Sequence, residues 1–274
     1  MFKKFLLIFT ILLALLLAYS YLYPSNDEYK DEDTQEETIN ENKEKEEETL
    51  KFDKELPYED AKYFEDVTVI DGQPMYYAYP KEIEVNNPPK LIVYSHGQLQ
   101  RIIEDLDDEY MLKMREYGEF FASKGYVFSA SNQHDDNWGQ RESLEDIRKS
   151  IMWFEENNMP IKNELYMIGF SMGGRTAINY SIENPENISA IALLAPTQRL
   201  QLSQNDVEQI KEIPIKIWHG KEDVNIPFHS SQQYIQEFEN YGKQIELIPI
   251  EGAGHYDIET SLMDKILDFF EGNY

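Results

Sequence analysis

The stretch Gly169-Phe170-Ser171-Met172-Gly173 constrains this chain more than any other. Before it, Glu164-Leu165-Tyr166-Met167-Ile168 is short, apolar and β-prone. After it, Arg175-Thr176-Ala177-Ile178-Asn179-Tyr180 has helical character. A G-x-S-x-G pentapeptide between a strand and a helix demands a sharp turn that lifts a serine hydroxyl out of a sheet, a nucleophile elbow. The turn crowds its neighbours, so the positions two before and two after the serine tolerate almost no side chain. The helix start behind Ser171 also offers backbone N–H groups and a partial positive charge to a developing oxyanion.

A serine hydroxyl is a poor nucleophile until a base takes its proton, and that base must be held in one tautomer by an acid. Both partners follow downstream. The run Ile213-Pro214-Ile215-Lys216-Ile217-Trp218 reads as a buried strand and ends in His219-Gly220-Lys221-Glu222-Asp223. The next strand, Ile245 to Ile250, ends in Gly252-Ala253-Gly254-His255. Ser171 is thus the candidate nucleophile, His255 the general base and acid, and Asp223 the residue orienting His255, with Glu222 as its adjacent competitor.

Serine, acid and histidine in that order, each just past the end of a successive strand, resemble an α/β-hydrolase over about residues 60 to 274. His219 to Pro227 is similar to the acid loop of that family, Gly252 to His255 to its histidine loop, and Leu91 to Gln98 to its early strand and oxyanion turn. The resemblance implies that the backbone N–H groups of Met172 and Gln98 hold the oxyanion, with Leu99 taking the second place if the turn is offset by one. The longer His-Gly-Gly-Gly form of this turn is absent, since Gln98 and Leu99 stand where the later glycines would.

The expected fold class is α/β, the α/β-hydrolase fold, with a mostly parallel sheet flanked by helices. Strand-like and helix-like segments alternate from Leu91 to Phe270, and their apolar runs show little alternation, as in strands covered on both faces. Asp71-Gly72, between two β-prone runs, signals an antiparallel hairpin at the start. Between the strands Ile188–Leu194 and Ile213–Trp218, 18 residues leave room for one short helix, about Asn205 to Glu212, and for little or no cap domain. This suits dienelactone-hydrolase-like or small carboxylesterase-like members, and an open site.

The other histidines carry less. His96 and His219 precede glycines at strand ends and read as loop braces, and His229 opens a helix at the surface. His134 with Asp135 and Asp136 makes a poor metal cage, so a substrate-pocket or bracing role fits better.

Three parts are expected: residues 1–24 as a membrane anchor or signal peptide, 25–55 as an acidic disordered tether, and 56–274 as the catalytic domain. Lys3 and Lys4 precede 19 uncharged residues, Phe5 to Tyr23, which as a helix would span about 28 Å, close to the hydrocarbon thickness of a bilayer. Basic residues before this segment and acidic ones after it direct the catalytic part out of the cytoplasm. Tyr19, Tyr21 and Tyr23 favour an interfacial belt and hence an uncleaved anchor, whereas Ala18-Tyr19-Ser20 leaves cleavage and secretion open. Residues 27–49 carry twelve acids against three lysines, too polar to offset their ordering entropy.

A net charge of −27 argues against nucleic acid as a partner. The chain has no cysteine, which excludes disulfides and thiol catalysis, and no cofactor is expected. The function these residues imply is hydrolysis of a carboxylic ester, on a small molecule or a polymer, through an acyl-enzyme on Ser171. A peptidase of the prolyl-oligopeptidase kind or an acyltransferase would use the same three residues. A catalytically silent hydrolase fold that binds partners at the surface is the reading from another class.

Overall fold

The computed structural model describes residues 49–52, 54–197 and 201–272. Segments 1–24 and 25–48 lie outside these residues. Runs such as Leu91-Ile92-Val93-Tyr94-Ser95 are buried at every position, so their strands can only lie in the middle of a sheet covered on both sides. Eight strands make that sheet: β2 (Tyr63–Ile70), β3 (Gln73–Pro80), β5 (Leu91–Ser95), β6 (Val127–Ser131), β7 (Leu165–Phe170), β8 (Ile188–Leu194), β9 (Ile215–Gly220) and β10 (Glu246–Ile250). Their order is β10-β9-β8-β7-β5-β6-β3-β2. Every pair from β6 to β10 is parallel, while β3 runs antiparallel to both β6 and β2. The β2–β3 hairpin turns on Asp71 and Gly72, whose φ angles of 49° and 83° are both left-handed, as a two-residue type I′ turn requires.

Helices fill both faces. Helices α2 (Arg141–Glu156), α3 (Gly173–Glu183) and α5 (His229–Glu239) bury Leu144, Ile147, Ile178, Tyr234 and Phe238 with Met167, Leu193 and Ile217 of the sheet. Helices α1 (Glu109–Ala122) and α6 (Met263–Phe270) bury Met114, Tyr117, Phe121, Ile266 and Phe270 with Ile92, Tyr94, Ile168 and Trp218 on the other side. Because all strands from β5 to β10 run the same way, their carboxyl ends, and the loops that leave them, gather along one edge.

Three boundaries differ from the sequence reading. Strand β9 covers 215–220 rather than 213–218, because Ile213 still closes a turn onto Ile210 and Pro214 has no N–H to give. His219 therefore belongs to the sheet. The helix between β8 and β9, α4 (Gln204–Gln209), is shorter than expected and is opened by a capping box between Ser203 and Asp206. No cap domain occurs there among the described residues. The catalytic part also begins earlier than residue 56: Thr49–Lys51 forms β1, paired antiparallel with β4 (Glu82–Glu84), and Phe52 packs against Phe64 and Tyr79. Among the described residues, no helix is long and apolar enough to cross a membrane.

Candidate active site

Ser171 follows the last residue of β7 and precedes α3 by one residue, with a φ of 52°. A non-glycine residue in this region carries a strain of about 1–3 kcal/mol, so its surroundings must over-determine it. They do: Ser171 N donates to Leu194 O at 2.9 Å, and Ser171 O accepts from Gly174 N at 3.2 Å and Thr197 N at 3.3 Å. The glycines are steric necessities. A methyl group on Gly173 would run into the backbone of Ser95, and one on Gly169 would lie 2.7 Å from Gly173 O.

His255 lies on the loop after β10 and Asp223 on the loop after β9, and both are almost fully buried. His255 Nδ1 donates to Asp223 Oδ2 at 2.6 Å. The other carboxylate oxygen accepts from Asn225 N at 2.9 Å and Ile226 N at 2.8 Å. Glu222, the competitor, is exposed. Burial alone would raise the Asp223 pKa, but hydrogen bonds from His219, His255 and the Ile226 backbone outweigh it and hold the carboxyl well below the usual range. The two loops are joined directly, since Glu222 N donates to Ala253 O at 3.0 Å. With Nδ1 committed to a carboxylate, which can only accept, Nε2 of His255 is left as the basic nitrogen.

His219, read from sequence as a brace, braces the acid. Its Nε2 is 2.7 Å from Ile226 O and 3.2 Å from Asp223 Oδ2, and its Nδ1 is 2.6 Å from Ser231 Oγ. A carbonyl can only accept, so Nε2 carries the proton and Nδ1 accepts from the serine.

Phe170, the residue before Ser171, packs its ring 4.8 Å from that of His255, which brings the elbow and the histidine loop together. Among the described residues, the Ser171 hydroxyl makes no hydrogen bond to His255, a contact that in unliganded sites often forms only when substrate engages.

The oxyanion turn runs from Gly97 to Gln100, closed by Gln100 N donating to Gly97 O at 3.4 Å. Leu99 has a φ of 64°, the third-position geometry of a type II turn. Leu99 N is occupied: it donates to Asp136 Oδ1 at 2.8 Å, and the same oxygen pairs with Arg101 Nη1 at 2.9 Å. Among the described residues neither Gln98 N nor Met172 N donates to a protein acceptor, so the turn leaves open the two N–H groups singled out from the sequence and engages Leu99.

His134 pairs through Nδ1 with Asp146 Oδ2 at 2.7 Å, and Asp135 and Asp136 both pair with Arg101. This cluster braces the loop after β6. His229 is exposed on the first turn of α5. Of the residues that hold the turn, the sequence gives no sign of Gln100 or Glu259 and reads Asp136 only with His134, as part of a pocket or a loop brace. None sits in a local motif, and they meet only because the fold brings β5, β6 and the histidine loop together.

A mostly parallel sheet with Ser171, Asp223 and His255 at the carboxyl ends of β7, β9 and β10 defines an α/β-hydrolase. The chain belongs to the dienelactone hydrolase family, whose model matches residues 114–261. A crystal structure of a thermostable esterase is 17% identical, with a TM-score of 0.55 over 77% of this chain and 63% of the esterase. Est1E from Butyrivibrio proteoclasticus is 17% identical, with a TM-score of 0.54 over 76% and 98%. The uncomplexed acylaminoacyl peptidase of Pyrococcus horikoshii is 17% identical, with a TM-score of 0.58 over 77% of this chain but 41% of the peptidase. The chain therefore spans less than two thirds of the thermostable esterase and under half of the peptidase. No curated protein matches the chain.

Proposed function

We propose that the protein is a serine carboxylesterase working through an acyl-enzyme. The observation that carries this reading is the 2.6 Å bond between His255 Nδ1 and Asp223 beside a serine held at a φ of 52°. His255 Nε2 takes the proton of Ser171 Oγ as the oxygen attacks the ester carbonyl carbon. The carbonyl oxygen becomes an oxyanion facing the N–H groups of Met172 and Gln98. Collapse of the tetrahedral intermediate breaks the ester C–O bond, and His255 returns its proton to the departing alcohol. Water, deprotonated by His255, then releases the acid and restores Ser171.

Two observations support a bulky ester with an apolar group. Leu99, Val224 and Tyr256 follow Gln98, Asp223 and His255 directly and are all exposed, at 79%, 88% and 54%. Exposed apolar side chains on all three functional loops give an apolar rim to a substrate. The described residues also carry no cap domain, which favours a bulky or polymeric ester.

The test is turnover of 4-nitrophenyl esters of increasing acyl length against aminoacyl anilides and blocked peptides. Ester hydrolysis that is absent from Ser171→Ala is the expected result; preferential amide cleavage would move the protein to the peptidase reading.

The uncharged run from Phe5 to Tyr23, with lysines before it and acids after, supports an enzyme held at the outer face of a membrane by its N-terminus. Protease accessibility of the catalytic part in intact cells tests this, and protection from protease would contradict it.

A further inference from the structure

Glu259 lies four residues beyond His255 and is fully buried, yet it takes no part in the chemistry described above. A buried carboxylate is costly unless paired and hydrogen-bonded, so its partners show what holds it there. Oε2 accepts from Lys113 Nζ of α1 at 2.6 Å. Oε1 accepts from Tyr94 Oη of β5 at 2.8 Å and from Gln100 Nε2 at 2.9 Å. The backbone carbonyl of Glu259 accepts from the Tyr117 hydroxyl. Burial pushes the Tyr94 phenol well up, so it stays protonated and donates.

The consequence runs through Gln100. An ionised carboxylate can only accept, so the amide nitrogen of Gln100 must face Glu259 and its oxygen must face away. That oxygen accepts from Gly97 N at 2.6 Å. The fit is close, since a methyl on Gly97 would lie 2.7 Å from this same Oε1 and 3.0 Å from the Phe170 ring. The following peptide is held by its carbonyl: Gly97 O accepts from Gln100 N at 3.4 Å and lies 2.8 Å from His96 Nδ1. A trans peptide is planar, with C=O and N–H pointing opposite ways, so fixing Gly97 O fixes the direction of Gln98 N–H.

We infer that Glu259 and Gln100 are positioning residues for the oxyanion turn, with the Lys113–Glu259 pair setting the orientation of the Gln100 amide and, through Gly97, the aim of the Gln98 N–H. The inference rests on the serine-hydrolase reading above. It also joins the histidine loop to the oxyanion turn, because Glu259 follows the base and Gln100 closes the turn.

The test compares full-length wild type with Gln100→Met, which keeps the volume and removes both polar atoms, and with Glu259→Gln, which keeps the shape and removes the charge. Three quantities are measured on one activated ester: kcat, KM, and the inhibition constant of a phenylboronic acid, which places an oxygen in the oxyanion position. Gln100→Met is expected to lower kcat by about 10- to 100-fold, as for a weakened oxyanion donor, with KM nearly unchanged and boronic acid affinity falling in step. Glu259→Gln is expected to lower kcat in the same direction by a smaller factor, and it decides the matter if Gln100→Met does not fold.

A melting temperature that falls while kcat and boronic acid affinity stay unchanged overturns the inference, since the network would then hold only the fold. A rise in KM with kcat unchanged does the same. A wild type that neither hydrolyses ester nor binds the boronic acid overturns the serine-hydrolase reading itself.

Discussion

The proton-transfer side of the site and its oxyanion side are built in opposite ways. On the first, two loops from adjacent parallel strands meet side chain to side chain, and Asp223 collects His255, His219 and two backbone N–H groups within eight residues of the end of β9 or on the next loop. On the second, apart from Met172 N at the elbow, the working groups are backbone N–H groups on a four-residue turn. Their direction is set by side chains from separate elements: Asp136 on Leu99, Asn132 on Ile102, and Gln100 with Glu259 on Gly97. A motif carries the first arrangement, and tertiary structure carries the second.

Variants that separate the two sides sharpen this contrast. Ser171→Ala should have the largest effect, a loss of kcat of roughly 10⁶-fold with the fold intact, checked by ester turnover and circular dichroism. Asp223→Asn should cost ~10⁴ in kcat, because the amide no longer fixes the tautomer that leaves Nε2 free. The depressed Asp223 pKa adds a sign: this carboxyl stays ionised throughout the ordinary carboxylate range. Its contribution to stability is present above the unfolded pKa and is lost as pH falls through the lower folded value, so the stability gap between wild type and Asp223→Asn, read from denaturant midpoints, should shrink in that acid range.

On the oxyanion side, Gly97→Ala should lower kcat by about 10²-fold and stability by about 1–3 kcal/mol, since its methyl meets both Gln100 and Phe170. Asp136→Ala should cost less than about tenfold in kcat, because it only loosens the turn at Leu99. If kcat instead rises, the freed Leu99 N–H is the oxyanion donor rather than that of Gln98.

The smallest effect on the site itself comes from alkaline pH. Tyr76, Tyr94 and Tyr117 are buried and their pKa values are pushed well up, so they stay protonated when folded but ionise near pH 10 when unfolded. Their contribution is complete below that pH and is lost above it, so denaturant midpoints should fall from about pH 10 upward.

The same contrast explains what the sequence reveals. The elbow, the acid loop and the histidine loop are short patterns whose steric and chemical demands are local, so Ser171, Asp223 and His255 can be read from a few neighbours each. The unbroken apolar runs likewise dictate a doubly covered parallel sheet. Glu259 and Asp136 have no such signature: one is a single acid in a loop, the other one of two adjacent aspartates, among 52 acidic residues in the chain. Their roles depend on partners about 160 and 35 positions away, Gln100 and Arg101. The sequence alone places strand β9 two residues early, because apolar Ile213 looks like strand, whereas a turn onto Ile210 claims it first.

The proposed acyl-enzyme mechanism requires an activated Ser171. Labelling the full-length protein with a fluorophosphonate, wild type beside Ser171→Ala, and reading intact mass tests it most directly. One adduct on the wild type and none on the variant is the expected result. An unlabelled, folded wild type, or an adduct that survives in Ser171→Ala, would contradict it.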